Sequence, residues 1–84
     1  MAALFRYDKP GARVALFADR LELTRGMLWA KKSHVVLLRA ITGVSVVGFA
    51  GSILRIETAG GFYDVEVGIG AAAKIRDRIL NALP

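Results

Sequence analysis

The stretch SILRIETAGGFYDVEV, residues 52–67, decides the fold. From Ser52 to Thr58, Leu54 and Ile56 alternate with Arg55 and Glu57. From Phe62 to Val67, Tyr63, Val65 and Val67 alternate with Asp64 and Glu66. A period of two sends successive side chains to opposite sides of a strand, so each run reads as a strand with one apolar face. Gly60-Gly61 lies between the runs and suits a two-residue hairpin, whose turn needs the positive φ that glycine adopts without steric cost.

The same device recurs upstream, in Leu21 and Leu23 of RLELT, residues 20–24. Turn signals separate the runs at Lys9-Pro10-Gly11, Ala18-Asp19, Arg25-Gly26 and residues 48–51. Strands are therefore expected near residues 2–7, 12–18, 20–25, 28–32, 34–38, 43–48, 52–58 and 62–67. If 28–32 and 34–38 form one bent strand, the count is seven. After Gly68 the period changes: Ala72, Ile75, Ile79, Ala82 and Leu83 recur at helical spacing, while Lys74, Arg76, Asp77, Arg78 and Asn81 face away. One amphipathic helix is expected over about 70–83. Gly70 is a weak N-cap, so the helix must draw its stability from docking. Hairpins followed by a closing helix suggest a bent antiparallel sheet or small barrel with the helix over an open end.

At 84 residues the chain is read as one domain, and one this small buries only about 60% of the surface of its unfolded form. It contains no cysteine, which excludes disulfides and thiolate metal sites. The hydrophobic fraction of 55% excludes disorder. The longest uncharged run, residues 40–54, holds three glycines and is shorter than the roughly 20 residues of a membrane-spanning helix. Arg6, Asp8 and Lys9 interrupt the N-terminal apolar residues before a signal-peptide core can form. The expectation is a cytoplasmic protein. Of the net charge of +5, all resides in residues 1–42, with eight Lys/Arg against three Asp/Glu, while residues 43–84 carry four of each. A solvated basic surface or a face for an anionic partner would both produce this asymmetry.

The arrangement resembles the pleckstrin-homology-like (PH-like) fold, in particular the short single-domain bacterial PH-like proteins. Residues 38–44, LRAITGV, match a family pattern of Leu, Ile and Val three apart at the entry to a strand. Residues 51–61, GSILRIETAGG, match a glycine, an alternating strand and a glycine hairpin. Residues 14–24 resemble the early hairpin and residues 75–83 the terminal helix. The resemblance implies a barrel of about seven bent antiparallel strands capped by the helix, and a non-enzymatic interaction or scaffold module that assembles as a homo-oligomer through strand edges or sheet faces. Physically, the three-residue step Leu38, Ile41, Val44 breaks the period of two, so a local helical turn or bulge is expected to turn a corner there, with Val44 and Val46 inward.

No reaction-specific motif is present. His34 is the only histidine, and neither Ser33, Ser45 and Ser52 nor the scattered carboxylates have the spacing of a catalytic or metal set. Gly68-Ile69-Gly70 lacks the remainder of a phosphate-binding motif and reads as a hinge or cap. No enzyme activity, cofactor or small-molecule substrate is implied. By resemblance to phosphoinositide-binding PH domains, Arg6, Lys9 and Arg13 around the Pro-Gly turn are candidate anion contacts, although the family's paired basic motif is missing. Arg25 and Lys32 join them beside the segment TRGMLWAKK, residues 24–32. There Met27, Leu28 and Trp29 could form an apolar tip dipping into an anionic membrane, the inner face of the cell membrane being the site implied. Met27 and Trp29 with Lys31 are equally candidate protein contacts, and Trp29 pointing inward would make it core. Val36 and Val47 complete the candidate interface, because residues 35–38 and 46–47 are apolar at both parities. Nucleic acid ranks below protein and lipid, since Phe5, Phe17 and Tyr63 fall in apolar alternation and read as core.

Overall fold

The computed structural model describes residues 2–26 and 30–84. Among the described residues seven strands run in chain order: β1 Phe5–Lys9, β2 Ala12–Leu16, β3 Arg20–Arg25, β4 Lys32–Leu37, β5 Ile41–Val47, β6 Ile53–Thr58 and β7 Gly61–Glu66. One helix, α1 Ala71–Ala82, follows. All strand pairings are antiparallel between neighbours, giving a four-stranded sheet β1-β2-β3-β4 and a three-stranded sheet β5-β6-β7. The molecule is thus mainly β with a C-terminal helix. Its two sheets are not joined into a closed barrel.

Alternation sets which face is buried. Leu21 and Leu23 in β3, Leu54 and Ile56 in β6, and Val65 in β7 are buried, and their strand neighbours project the other way. These residues share one core with Val14 and Leu16 of β2, Val36 of β4, and Ala72, Ile75 and Ile79 of α1. The helix packs on β5 and β6. Its N-cap Gly70 sits at φ +82° with no side-chain capping bond, so docking, not capping, holds it.

The corner expected at residues 38–44 has both devices. Leu38–Ala40 form a 3₁₀ turn, and the β5-β6 register shifts between Ile41 and Gly43. Together they carry the chain from one sheet to the other and leave Val44 and Val46 half-buried against the core. Of the strand expected at 28–32, residues 28 and 29 lie outside the described residues, Ala30 and Lys31 precede β4, and β4 starts at Lys32. The β6-β7 turn lies one residue earlier than expected, at Ala59-Gly60, because Thr58 pairs with Gly61. The pairing Leu54 with Val65 and Ile56 with Tyr63 fixes that register by matching apolar side chains across the core face.

Candidate functional site

Register gathers three of the basic candidates. Lys9 lies opposite Ala12, Ala12 opposite Arg25, and Arg25 opposite Lys32. Opposed residues in antiparallel strands project from one face, so Lys9, Arg25 and Lys32 form a row across one end of the four-stranded sheet, on its core-facing side. Arg6 and Arg13 lie on the other face, and Arg13 donates from Nε to the Asp8 carboxylate. The expected convergence of Arg6, Lys9 and Arg13 on the Pro10-Gly11 turn is corrected in part: alternation turns Arg6 and Arg13 to the face opposite Lys9, and of the three only Lys9 and Arg13 border the cleft at the turn.

Each member of the row has a definite position. A Cβ at Gly68 would stand 4.0 Å from the Lys9 ammonium, so Lys9 reaches toward the segment that follows β7. The Arg25 Nη1 donates to the carbonyl oxygen of Asp64 at 2.9 Å, which ties the end of β3 to β7. Lys9, Lys31 and the ion pair Arg13–Asp8 border a cleft of about 220 Å³ between the Pro10-Gly11 turn and Gly26. Among the described residues no carboxylate forms an ion pair with Lys9, Arg25, Lys31 or Lys32. This end of the molecule therefore presents a positive potential to an approaching anion.

The outer face of the three-stranded sheet is mixed in charge. Arg55 grips Asp64 with two hydrogen bonds of 2.9 and 3.0 Å, and its guanidinium lies 4.1 Å from the centre of the Phe62 ring. The Arg55 bonds hold the Asp64 carboxyl below the usual carboxylate range against the opposing effect of desolvation, with the charges of Arg55 and Arg25 adding to the shift. Ser45 donates to Glu57 on the same face.

β4 exposes two large apolar side chains on one face, and Leu4, Phe49, Phe62, Ile69 and Leu80 are exposed singly elsewhere. Val35 and Leu37 are 62% and 42% exposed on the outer face of the four-stranded sheet, whereas Val36 is 5% exposed and belongs to the core. Val36 as an interface residue is thus corrected: it pairs with Leu21, whose buried side chain commits Val36 to the same inward face. Val47 is half-buried on the outer face of the other sheet, opposite Ile53. A groove of about 720 Å³ runs between β1 and α1, bordered by Phe5, Tyr7, Ile69, Lys74, Ile75 and Arg78. The Tyr7 hydroxyl donates to the Val67 carbonyl beside it. Met27 and Trp29, with Leu28, lie outside the described residues.

His34 points inward from β4, its ring centre 4.8 Å from that of Tyr63, and its buried Nε2 has no hydrogen-bond partner among the described residues. Ser33 lies on the opposite face of the strand and shares a 3.3 Å hydrogen bond with Thr24. Among the described residues no group of three or more His, Asp or Glu is placed to hold a metal ion, and no helix is long and apolar enough to cross a membrane. The arrangement has a basic row at one end and an apolar strand edge along one side. No family model, curated protein or solved structure matches the chain.

Proposed function

We propose that this chain is a non-enzymatic PH-like interaction module that associates with itself through a strand edge. The order of four strands, a corner, three strands and a helix supports the PH-like part of the reading, since it is the order that the resemblance implies. The observation that carries the interaction part is the pair Val35 and Leu37, large apolar side chains exposed on a strand that ends a sheet. An uncovered apolar edge is a template for another strand, and a closed oligomer is the ordinary way to cover it. Sedimentation velocity across the micromolar range tests this. A concentration-dependent shift from monomer to a discrete oligomer is expected, and a monomer at every concentration overturns it.

The row Lys9, Arg25 and Lys32 favours a second reading, a peripheral module at the cytoplasmic face of an anionic membrane. Each basic residue near such a surface contributes about 1 kcal/mol, so Lys9→Ala combined with Lys32→Ala is expected to weaken vesicle binding by roughly 30-fold. Co-sedimentation with phosphatidylserine-containing vesicles at low salt measures it. Absence of binding by the parent chain, or equal binding to vesicles of phosphatidylcholine alone, rejects this reading.

A further inference from the structure

Hydrogen-bond direction distinguishes the four strands that end the two sheets. The Leu38 amide donates to the Asp19 carbonyl, and these residues are directly opposed when the β3-β4 register is continued. Bonded and non-bonded pairs alternate along antiparallel strands. Val36, His34 and Lys32 therefore direct their backbone groups to β3, and Ser33, Val35 and Leu37 direct theirs away from the sheet. The Phe17 amide bond to the Arg20 carbonyl fixes the neighbouring ladder in the same phase.

Two of the other edges are charged, and the third exposes no large apolar side chain. On β1 the outward groups belong to Arg6 and Asp8, and the strand is bound to its own chain by Tyr7 on Val67 and by Arg78 over Phe5. On β7 the Val67 amide bond to Ser52 sets the phase, which turns Phe62, Asp64 and Glu66 outward, and the Asp64 carbonyl already accepts from Arg25. On β5 the phase turns Val44 and Val46 outward, but their side chains are half-buried against the core and the register is broken by the shift at Ile41–Gly43. β4 turns Ser33, Val35 and Leu37 outward, uncharged and with two large apolar side chains exposed, and among the described residues only the Leu37 carbonyl is already engaged, as the N-cap that accepts the first bond of the 3₁₀ turn.

We propose that the partner of this edge is a second copy of the chain, joined by antiparallel β4-β4 pairing about a two-fold axis at Val35. The proposal rests on the self-association inferred above and names its interface. Of the registers that keep buried and exposed faces continuous, the one pairing Val35 with Val35 of the second copy also opposes each Ser33 to a Leu37. Because the Leu37 carbonyl is engaged in the 3₁₀ turn, four bonds form, two at Val35 and one from each Leu37 amide to a Ser33 carbonyl; opposing Val35 to Leu37 leaves two, and opposing Ser33 to Val35 also gives four but separates each Leu37 from Val35 of the other copy. The two sheets merge into one of eight strands. Val35 meets its own copy on the outer face beside the two Leu37 side chains, and His34 stands opposite Val36 on the inner face. Lys32, the only charged residue of β4, falls beyond the last bonded pair at each end, so no like charges are opposed. Six residues a side is far below the roughly 20–30 of a standard interface, which places the dimer at the weak, micromolar end.

The test uses the full chain. Val35→Lys opposes two lysines at the axis while leaving the β3-β4 bonds intact, and is expected to weaken the dimer at least about tenfold in sedimentation equilibrium. Val35→Pro, which removes an outward N–H on an edge strand, is expected to do the same. Because the chain lacks cysteine, Val35→Cys should form a covalent dimer on mild oxidation, the opposed Cα atoms lying about 5.5 Å apart. Ser33→Cys should not, since position 33 opposes 37 and the two Cα atoms stand roughly 14 Å apart. A parent dimer whose affinity is untouched by Val35→Lys and Val35→Pro, or equal cross-linking at positions 33 and 35, overturns the β4 pairing and leaves self-association standing. A monomeric parent across the micromolar range overturns both.

Discussion

The neighbours Ile79 and Leu80 make the docking of α1 measurable. The helix has 12 residues, a glycine N-cap and no side-chain cap, and an isolated helix of that length is marginal in water. Its contribution must come through Ala72, Ile75 and Ile79, which enter the same core as β2, β3, β6 and β7. Ile79 is 0% exposed and Leu80 is 46% exposed. Truncating a fully buried isoleucine to alanine costs about 2–5 kcal/mol, the transfer of the lost methyl groups plus the cavity they leave. For 84 residues the whole stability is roughly 4–13 kcal/mol, so Ile79→Ala should remove a large part of it. At about 4–8 °C per kcal/mol for a domain of this size, a loss of about 3 kcal/mol lowers the melting temperature by roughly 12–24 °C. Leu80→Ala should stay within about 1 kcal/mol. Urea unfolding followed by far-ultraviolet circular dichroism reads both, with one transition and an unchanged denaturant slope expected. If Ile79→Ala costs under about 1 kcal/mol, or if Leu80→Ala costs as much, the helix is not docked through this face and the reasoning fails.

Backbone geometry and charge supply two further expectations. Gly26 has φ +106°, and a Cβ there would stand 2.3 Å from the Ala30 carbonyl oxygen, so Gly26→Ala should lose more than about 1–2 kcal/mol. Gly60→Ala, where a Cβ meets nothing within 4 Å and φ is not positive, should change stability by less than about 1 kcal/mol; equal losses at the two sites would refute the geometric argument. The Asp64 carboxyl is held below its ordinary range first by its hydrogen bonds to Arg55. A depressed folded-state value contributes stability that is present above the ordinary carboxylate range and is lost as pH falls through the folded value. Asp64→Asn should therefore lower the urea midpoint at neutral pH and flatten its decline on acidification. Parallel acid-side curves for the variant and the parent would show that the Arg55 pair contributes nothing to folding.

Much of this fold was legible because the information was local. In β3, β6 and β7 one buried face forces alternation, and Leu21, Leu23, Leu54, Ile56 and Val65 announce it without reference to any neighbour. The corner was legible for the opposite reason, as a break in the period at Leu38, Ile41 and Val44. Strand ends were less so. β1 spans Phe5–Lys9, not residues 2–7, because pairing with β2 carries the hairpin up to the Pro10-Gly11 turn, and Lys9 is drawn into the ladder opposite Ala12. That single displacement also decides the basic row, since it is register with Ala12, Arg25 and Lys32 that places Lys9 among the cations.

The facing of β4 was not legible, and the reason is physical. Val35, Val36, Leu37 and Leu38 carry no alternation, so either parity would bury two large apolar side chains. The choice is made by β3: the register of Leu21 with Val36 and Leu23 with His34 commits Val36 inward and turns Val35 and Leu37 to the surface. Phase along the ladder has the same origin, because the Leu38–Asp19 bond determines that Ser33, Val35 and Leu37 carry the outward backbone groups. Exposed apolar side chains and outward hydrogen-bonding groups thus coincide on the same residues of β4. Here Val35 provides both, which is why a substitution at that one position should test the edge without disturbing the core.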